Sequence, residues 1–99
     1  RGSFGASHYA AAKGAIESLT KSVAIELASK NITVNAIAPG YMDAGIIRSV
    51  PTDILSGVIE GIPQKRLGPS TEICFLAEYL LSENASYITG ETLGINGGL

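Results

Sequence analysis

Tyr9 and Lys13 stand at i and i+4 in the segment SHYAAAKGAIESLTKS, and Pro39-Gly40 closes the apolar run that follows it. On a helix, residues four apart project from one face, with their β-carbons about 6 Å from each other. A phenol is a poor acid or base near neutral pH, but an ammonium beside it favours the phenolate and so eases proton exchange with a bound ligand. A lysine so placed could also donate hydrogen bonds to a ligand's hydroxyls. By spacing alone, the commoner meaning of such a pair is a ring packed at the surface beneath a solvated charge. Pro39-Gly40 taken alone is likewise an ordinary turn at the end of a strand.

The elements that would position these residues are legible from periodicity. Between Tyr9 and Ser29 there is no proline, and Ile16, Leu19, Val23 and Leu27 recur at helical steps, with Ala12 and Ala24 on the same face. The pattern predicts a long helix that starts at Ser7 or His8 and stops at Ser29-Lys30-Asn31, where Asn tolerates left-handed geometry. The β-branched run Ile32–Ala38 predicts a strand inside a sheet. A loop and a short helix over 52–61 follow, then a helix opening at Ser70-Thr71-Glu72 with Ile73, Leu76, Ala77, Leu80 and Leu81 on one face. A last strand over 91–95 runs into the turn Asn96-Gly97-Gly98.

Strand, helices, strand implies a crossover connection and hence a parallel pair in an α/β sheet. Two strands are too few for a parallel sheet covered on both faces, so the sequence reads as the last part of a larger domain. Arg1-Gly2-Ser3 opens the chain without methionine, as expected of a fragment.

Composition narrows the function classes. The chain has 99 residues, is 45% hydrophobic and 16% charged, and carries a net charge of -2. That balance belongs to a folded globular chain. With seven scattered basic residues it gives no footprint for nucleic acid. No apolar run reaches the roughly 18 residues that span a bilayer, so no membrane partner is expected. The single cysteine, Cys74, has no partner for a disulfide or a metal site and is expected as a small buried hydrophobe in a cytoplasmic, reducing compartment. No metal is expected.

Several of these segments, in this order, resemble the short-chain dehydrogenase/reductase family. They are the Tyr-x-x-x-Lys pair, the strand end Asn35-Ala36-Ile37-Ala38-Pro39-Gly40, the segment Ile62–Gly68, which is similar to the one before the family's penultimate helix, and the ending Ile88-Thr89-Gly90 through Gly97-Gly98. Within the family the likeness is strongest to the 3-oxoacyl-acyl carrier protein reductases, through the run Asn31–Gly40 and the ending from Ile88.

The resemblance implies the C-terminal portion of a Rossmann-type, doubly wound parallel sheet whose dinucleotide-binding half precedes this chain. It implies a nicotinamide-dependent oxidoreductase, with NADP or NAD as cofactor, that interconverts a carbonyl and a secondary alcohol. Tyr9 would exchange the proton, Lys13 would hold the nicotinamide ribose and favour the tyrosinate, and Pro39, Gly40 and Met42 would border the nicotinamide. Tyr41 and Ile46 would neighbour a small-molecule or acyl-carrier-linked substrate. Dimers or tetramers would form through the long helix and through the last helix and strand.

Some residues depart from the family's pattern. Ala44 stands where members often carry a threonine near the cofactor, and Asn96 stands where aspartate is common before the final Gly-Gly. The family's phosphate loop and catalytic serine precede Tyr9 and have no counterpart here; Ser3 and Ser7 lie too close to it. A sugar or polyol dehydrogenase of the same family would share much of the pattern. A non-catalytic piece retaining only assembly surfaces is the reading of another class, and the 99 residues alone are expected to be inactive.

Overall fold

The computed structural model describes residues 7–99. Helix α1 spans Ser7–Leu27 and tightens into a single 3-10 turn, Ala28–Lys30; strand β1 spans Ala36–Pro39, helix α2 Thr52–Glu60, helix α3 Thr71–Leu80 and strand β2 Thr92–Ile95. A short 3-10 helix, Gly45–Ser49, precedes α2, and another, Glu83–Ala85, follows α3.

Helix α1 ends as its sequence predicts. Asn31 takes the left-handed conformation at φ 59°, and its N–H donates to the Ala28 carbonyl at 3.1 Å. The two strands pair in parallel, with Ala36 opposite Thr92 and Pro39 opposite Ile95, and both α1 and α3 contact β1.

The regular ladder starts later than the β-branched run suggests. Before Ala36, side chains share the pairing with one backbone bond, Gly90 N–H to the Val34 carbonyl at 2.8 Å: Val34 N–H donates to Thr89 Oγ1 at 3.0 Å, Asn35 Nδ2 donates to the Ile88 carbonyl at 3.0 Å, and Glu91 N–H donates to Asn35 Oδ1 at 3.1 Å. The segment 32–35 is therefore stitched to the chain before β2 without being strand. An amide side chain satisfies both a donor and an acceptor of the neighbouring backbone, which an aliphatic β-branched residue there could not do.

Packing differs between the two ends of α1. Towards its C-terminal half, Ala24 and Thr20 are buried, Thr20 Oγ1 donates to the Ile16 carbonyl at 2.7 Å, and Lys21 Nζ reaches the Gly90 carbonyl at 3.3 Å. Of the predicted stripe, Val23 and Leu27 are half-buried, while Ile16 and Leu19 are exposed because nothing among the described residues lies over them. Cys74 is also exposed, which corrects the expectation of a buried thiol: it sits one residue round α3 from the half-buried Ile73 and turns away from the sheet.

Among the described residues the fully buried hydrophobic side chains are Ala24, Ile62 and Ala85. The radius of gyration is 15.8 Å, against about 13 Å for a compact chain of ~100 residues. So small a core leaves Ile25, Phe75, Tyr79, Leu81 and Tyr87 exposed as well. No helix among the described residues is long and apolar enough to cross a membrane.

Candidate active site

Helical spacing brings Tyr9 and Lys13 together as expected, and the Lys13 ammonium lies 5.5 Å from the centre of the Tyr9 ring. At that distance a cation is attracted by the ring's negative face, which holds the pair in register. The ion pairs among the described residues join Arg48 to Asp43 and Lys65 to Glu60, and neither uses Lys13. Tyr9 is 60% exposed and Lys13 half-buried, so both polar tips are accessible.

The first turns of α1 face the carboxyl end of β1 across an open cleft of about 330 Å³. It is lined by Tyr9, Lys13, Ala38, Pro39, Gly40, Tyr41, Asn96 and Leu99. Its opposite wall is backbone, held in place by Gly40 N–H donating to the Ile95 carbonyl at 2.7 Å. That wall needs glycine: a β-carbon on Gly40 would come within 2.8 Å of Asn96 Cβ and 2.9 Å of Asn96 Cα, closer than real contacts allow. The position lies just beyond the carboxyl end of a parallel strand, where open α/β sheets bind their ligands.

The C-terminal turn that meets Gly40 is itself braced. Gly97, at φ 64°, lies against the buried Ile62, and Gln64 N–H donates to its carbonyl at 3.1 Å. Only a residue tolerant of left-handed backbone fits there, and a β-carbon would come within 2.9 Å of Ile62 Cγ2. Asn96 Oδ1 accepts from Gly98 N–H at 3.0 Å, closing the turn.

The structure sorts the remaining candidates. Tyr41 lines the cleft with Tyr9 and Lys13. Met42 lines a neighbouring cleft of about 390 Å³ with Gln64, Arg66 and Glu72, because a single parallel bridge joins it to Gly68: Asp43 N–H donates to the Gly68 carbonyl at 2.8 Å and Gly68 N–H to the Tyr41 carbonyl at 3.0 Å. Ile46 lines neither cleft and is 87% exposed on the 3-10 helix beyond Gly45. His8 is exposed at the start of α1. Ser3 lies outside the described residues.

Two cleft residues escaped the sequence reading, Ala38 and Leu99, and Asn96 was singled out only as a departure. A polar residue continuing the register of β2 past Ile95, opposite the chain that continues β1, was the available signal for Asn96.

Residues 1–99 match the family described as Enoyl-(Acyl carrier protein) reductase over their whole length. The chain belongs to the short-chain dehydrogenase/reductase family. It is similar to Nodulation protein G of Azospirillum brasilense, with 46% identity over 99 residues, and to the 3-oxoacyl-[acyl-carrier-protein] reductase FabG of Salmonella typhimurium, with 44% over 98 residues. It is also 42% identical over 99 residues to the Acetoacetyl-CoA reductase of an Acinetobacter species. These matches take in 99–100% of this chain and 40% of each relative. As part of a short-chain dehydrogenase/reductase, β1 and β2 are two parallel strands of a Rossmann-like sheet.

Proposed function

We propose that the full-length protein carrying this chain is a nicotinamide-dependent oxidoreductase that interconverts a carbonyl and a secondary alcohol, with 3-oxoacyl thioesters as its substrate class. The observation that carries this reading is the meeting of Tyr9 and Lys13 with Pro39 and Gly40 in one open cleft at the carboxyl end of a parallel strand. The thioester class is supported by relatives named for 3-oxoacyl-[acyl-carrier-protein] and acetoacetyl-CoA.

The donor set suits the nicotinamide–ribose end of NADP or NAD. Lys13 offers an ammonium whose three N–H groups can serve ribose hydroxyls, and Pro39-Gly40 offers a backbone wall with no bulky side chain against a flat ring. The bound nicotinamide would supply the hydride chemistry, which no side chain can. Tyr9 manages the proton: its Oη donates to the substrate oxygen as the alcohol forms and recovers the proton in the reverse direction. The Lys13 ammonium supplies positive charge beside the ring as the proton leaves. Tyr41, on the same cleft, borders the substrate. Met42 reaches the cofactor only across the ridge that Tyr41 and Asn96 make between the two clefts, and Ile46 reaches the substrate only if its 3-10 helix folds inward.

Association into a homo-oligomer would cover part of the apolar surface that α1 and α3 expose. The test of the reaction is turnover by the full-length protein with acetoacetyl-CoA and either NADPH or NADH, read as loss of reduced-nicotinamide fluorescence. Consumption that depends on both partners is expected. Oxidation of polyols with no action on the thioester would overturn the substrate class, and no turnover of either would overturn the catalytic reading.

A further inference from the structure

Asn96 stands where the two clefts meet. It lines the Tyr9–Lys13 cleft on one side and the Gln64–Arg66–Glu72 cleft on the other. Three contacts fix its place. Its Cβ and Cα back directly onto Gly40, at 2.8 and 2.9 Å from where a β-carbon on that residue would be. Its Oδ1 accepts from Gly98 N–H at 3.0 Å, and its Nδ2 lies beside Gly94, 3.0 Å from where that residue's β-carbon would be. The amide is thereby engaged along its own strand, with Oδ1 on Gly98 N–H and Nδ2 beside Gly94, and its Cα–Cβ stem is the surface against which Gly40 rests.

We propose that Asn96 is a positioning residue for the cleft: by holding the turn through Gly98 closed, it fixes the backbone of Gly40 at its distance from Tyr9 and Lys13. This rests on the reading of that cleft as the nicotinamide end of the site, and it adds what sets the cleft's width. Gly97 and Gly98 have left-handed φ values of 64° and 94°, so the turn has backbone freedom that its hydrogen bonds must restrain. Removing the Oδ1 acceptor leaves the Gly98 N–H to water and loosens a turn still held by Gln64 N–H on the Gly97 carbonyl and Leu99 N–H on the Asn96 carbonyl. The Cα and Cβ of residue 96 then shift against Gly40 with the loosened turn, although Gly40's own bond to Ile95 remains. Because the Asn96 Oδ1 is taken up by Gly98 N–H, the effect falls on ligand affinity more than on the chemical step.

The experiment uses the full-length protein and compares Asn96→Ala, Asn96→Leu and Asn96→Asp by NADPH and NADH fluorescence titration, by kcat at saturating cofactor and by thermal melting. Asn96→Ala and Asn96→Leu are expected to weaken the affinity for the better of the two cofactors three- to tenfold while changing kcat less than twofold. Asn96→Asp keeps an acceptor for Gly98 N–H and is expected within twofold of the unsubstituted protein on both measures. Should one of the first two variants fail to fold, the other carries the comparison. Affinity within twofold in both, or an Asp variant as weak as the Ala variant, would overturn the proposal; so would a lowered melting temperature with affinity unchanged. Failure of the site reading is distinguishable. It appears in the unsubstituted protein, as no binding of either nucleotide, which would overturn both, or as full turnover by Tyr9→Phe with the Asn96 pattern intact.

Discussion

At the carboxyl end of β1, Gly40 donates to Ile95 at 2.7 Å and Ile62, 2% exposed, lies against Gly97. Along the outer faces of α1 and α3, Leu19 is 63% and Phe75 65% exposed. The first region is held by its own contacts: backbone bonds, a close glycine approach and a turn braced by Ile62 and Gln64 place Pro39, Gly40 and Asn96 against one another. The second is apolar surface with no neighbour among the described residues. One wall of the Tyr9–Lys13 cleft is thus fixed by contacts within this chain, whereas the helix carrying Tyr9 and Lys13 packs only along its C-terminal half. The chain spans 40% of the length of the curated relatives it matches, and surface of that kind is what the rest of such a protein, or a second copy, would cover.

Substitutions can sharpen or break this contrast, each made in the full-length protein. Ile62→Ala should have the largest effect on stability, about 3 kcal/mol in urea unfolding, because it hollows out a buried site under the C-terminal turn. A loss below about 1 kcal/mol would show that the turn is braced elsewhere. Lys13→Met should lower kcat about a hundredfold, equivalent to ~2.7 kcal/mol, and weaken cofactor binding as well. Equal turnover would leave the ammonium with no role beyond packing over the Tyr9 ring.

Asn35→Ala removes both side-chain bonds to the chain before β2 and should cost about 1–2 kcal/mol, with little change in kcat. Leu19→Glu tests the other side of the comparison. Sedimentation should shift towards smaller species with the melting of each subunit little changed, and unchanged association would place the interface elsewhere. Smallest of all, Arg48→Ala breaks an exposed pair with Asp43 and should shift stability by less than about 0.5 kcal/mol.

The sequence carried the elements whose signals are local. The extent of α1, the left-handed stop at Asn31 and the meeting of Tyr9 with Lys13 all follow from helical period and one residue's tolerance of positive φ. The start of β1 was misjudged because Asn35 and the Thr89 hydroxyl take over the pairing, and their bonds join residues far apart in the chain. Met42 left the first cleft for the same kind of reason, since the bridge to Gly68 decides where its side chain goes. Asn96 against Gly40 was illegible because the contact exists only once the register of two distant strands is set. Cys74 was misplaced by a compositional expectation that assumes a complete core.

The central claim is that Tyr9, held by α1 across from Pro39-Gly40, exchanges the proton of a carbonyl reduction. Its most direct test is kcat and cofactor affinity for Tyr9→Phe in the full-length protein, with acetoacetyl-CoA as substrate. A loss of at least about a hundredfold in kcat, with cofactor Kd within about threefold, is predicted, since the ring and its contact with Lys13 survive while the transferable proton does not. Turnover equal to that of the unsubstituted protein would contradict the account.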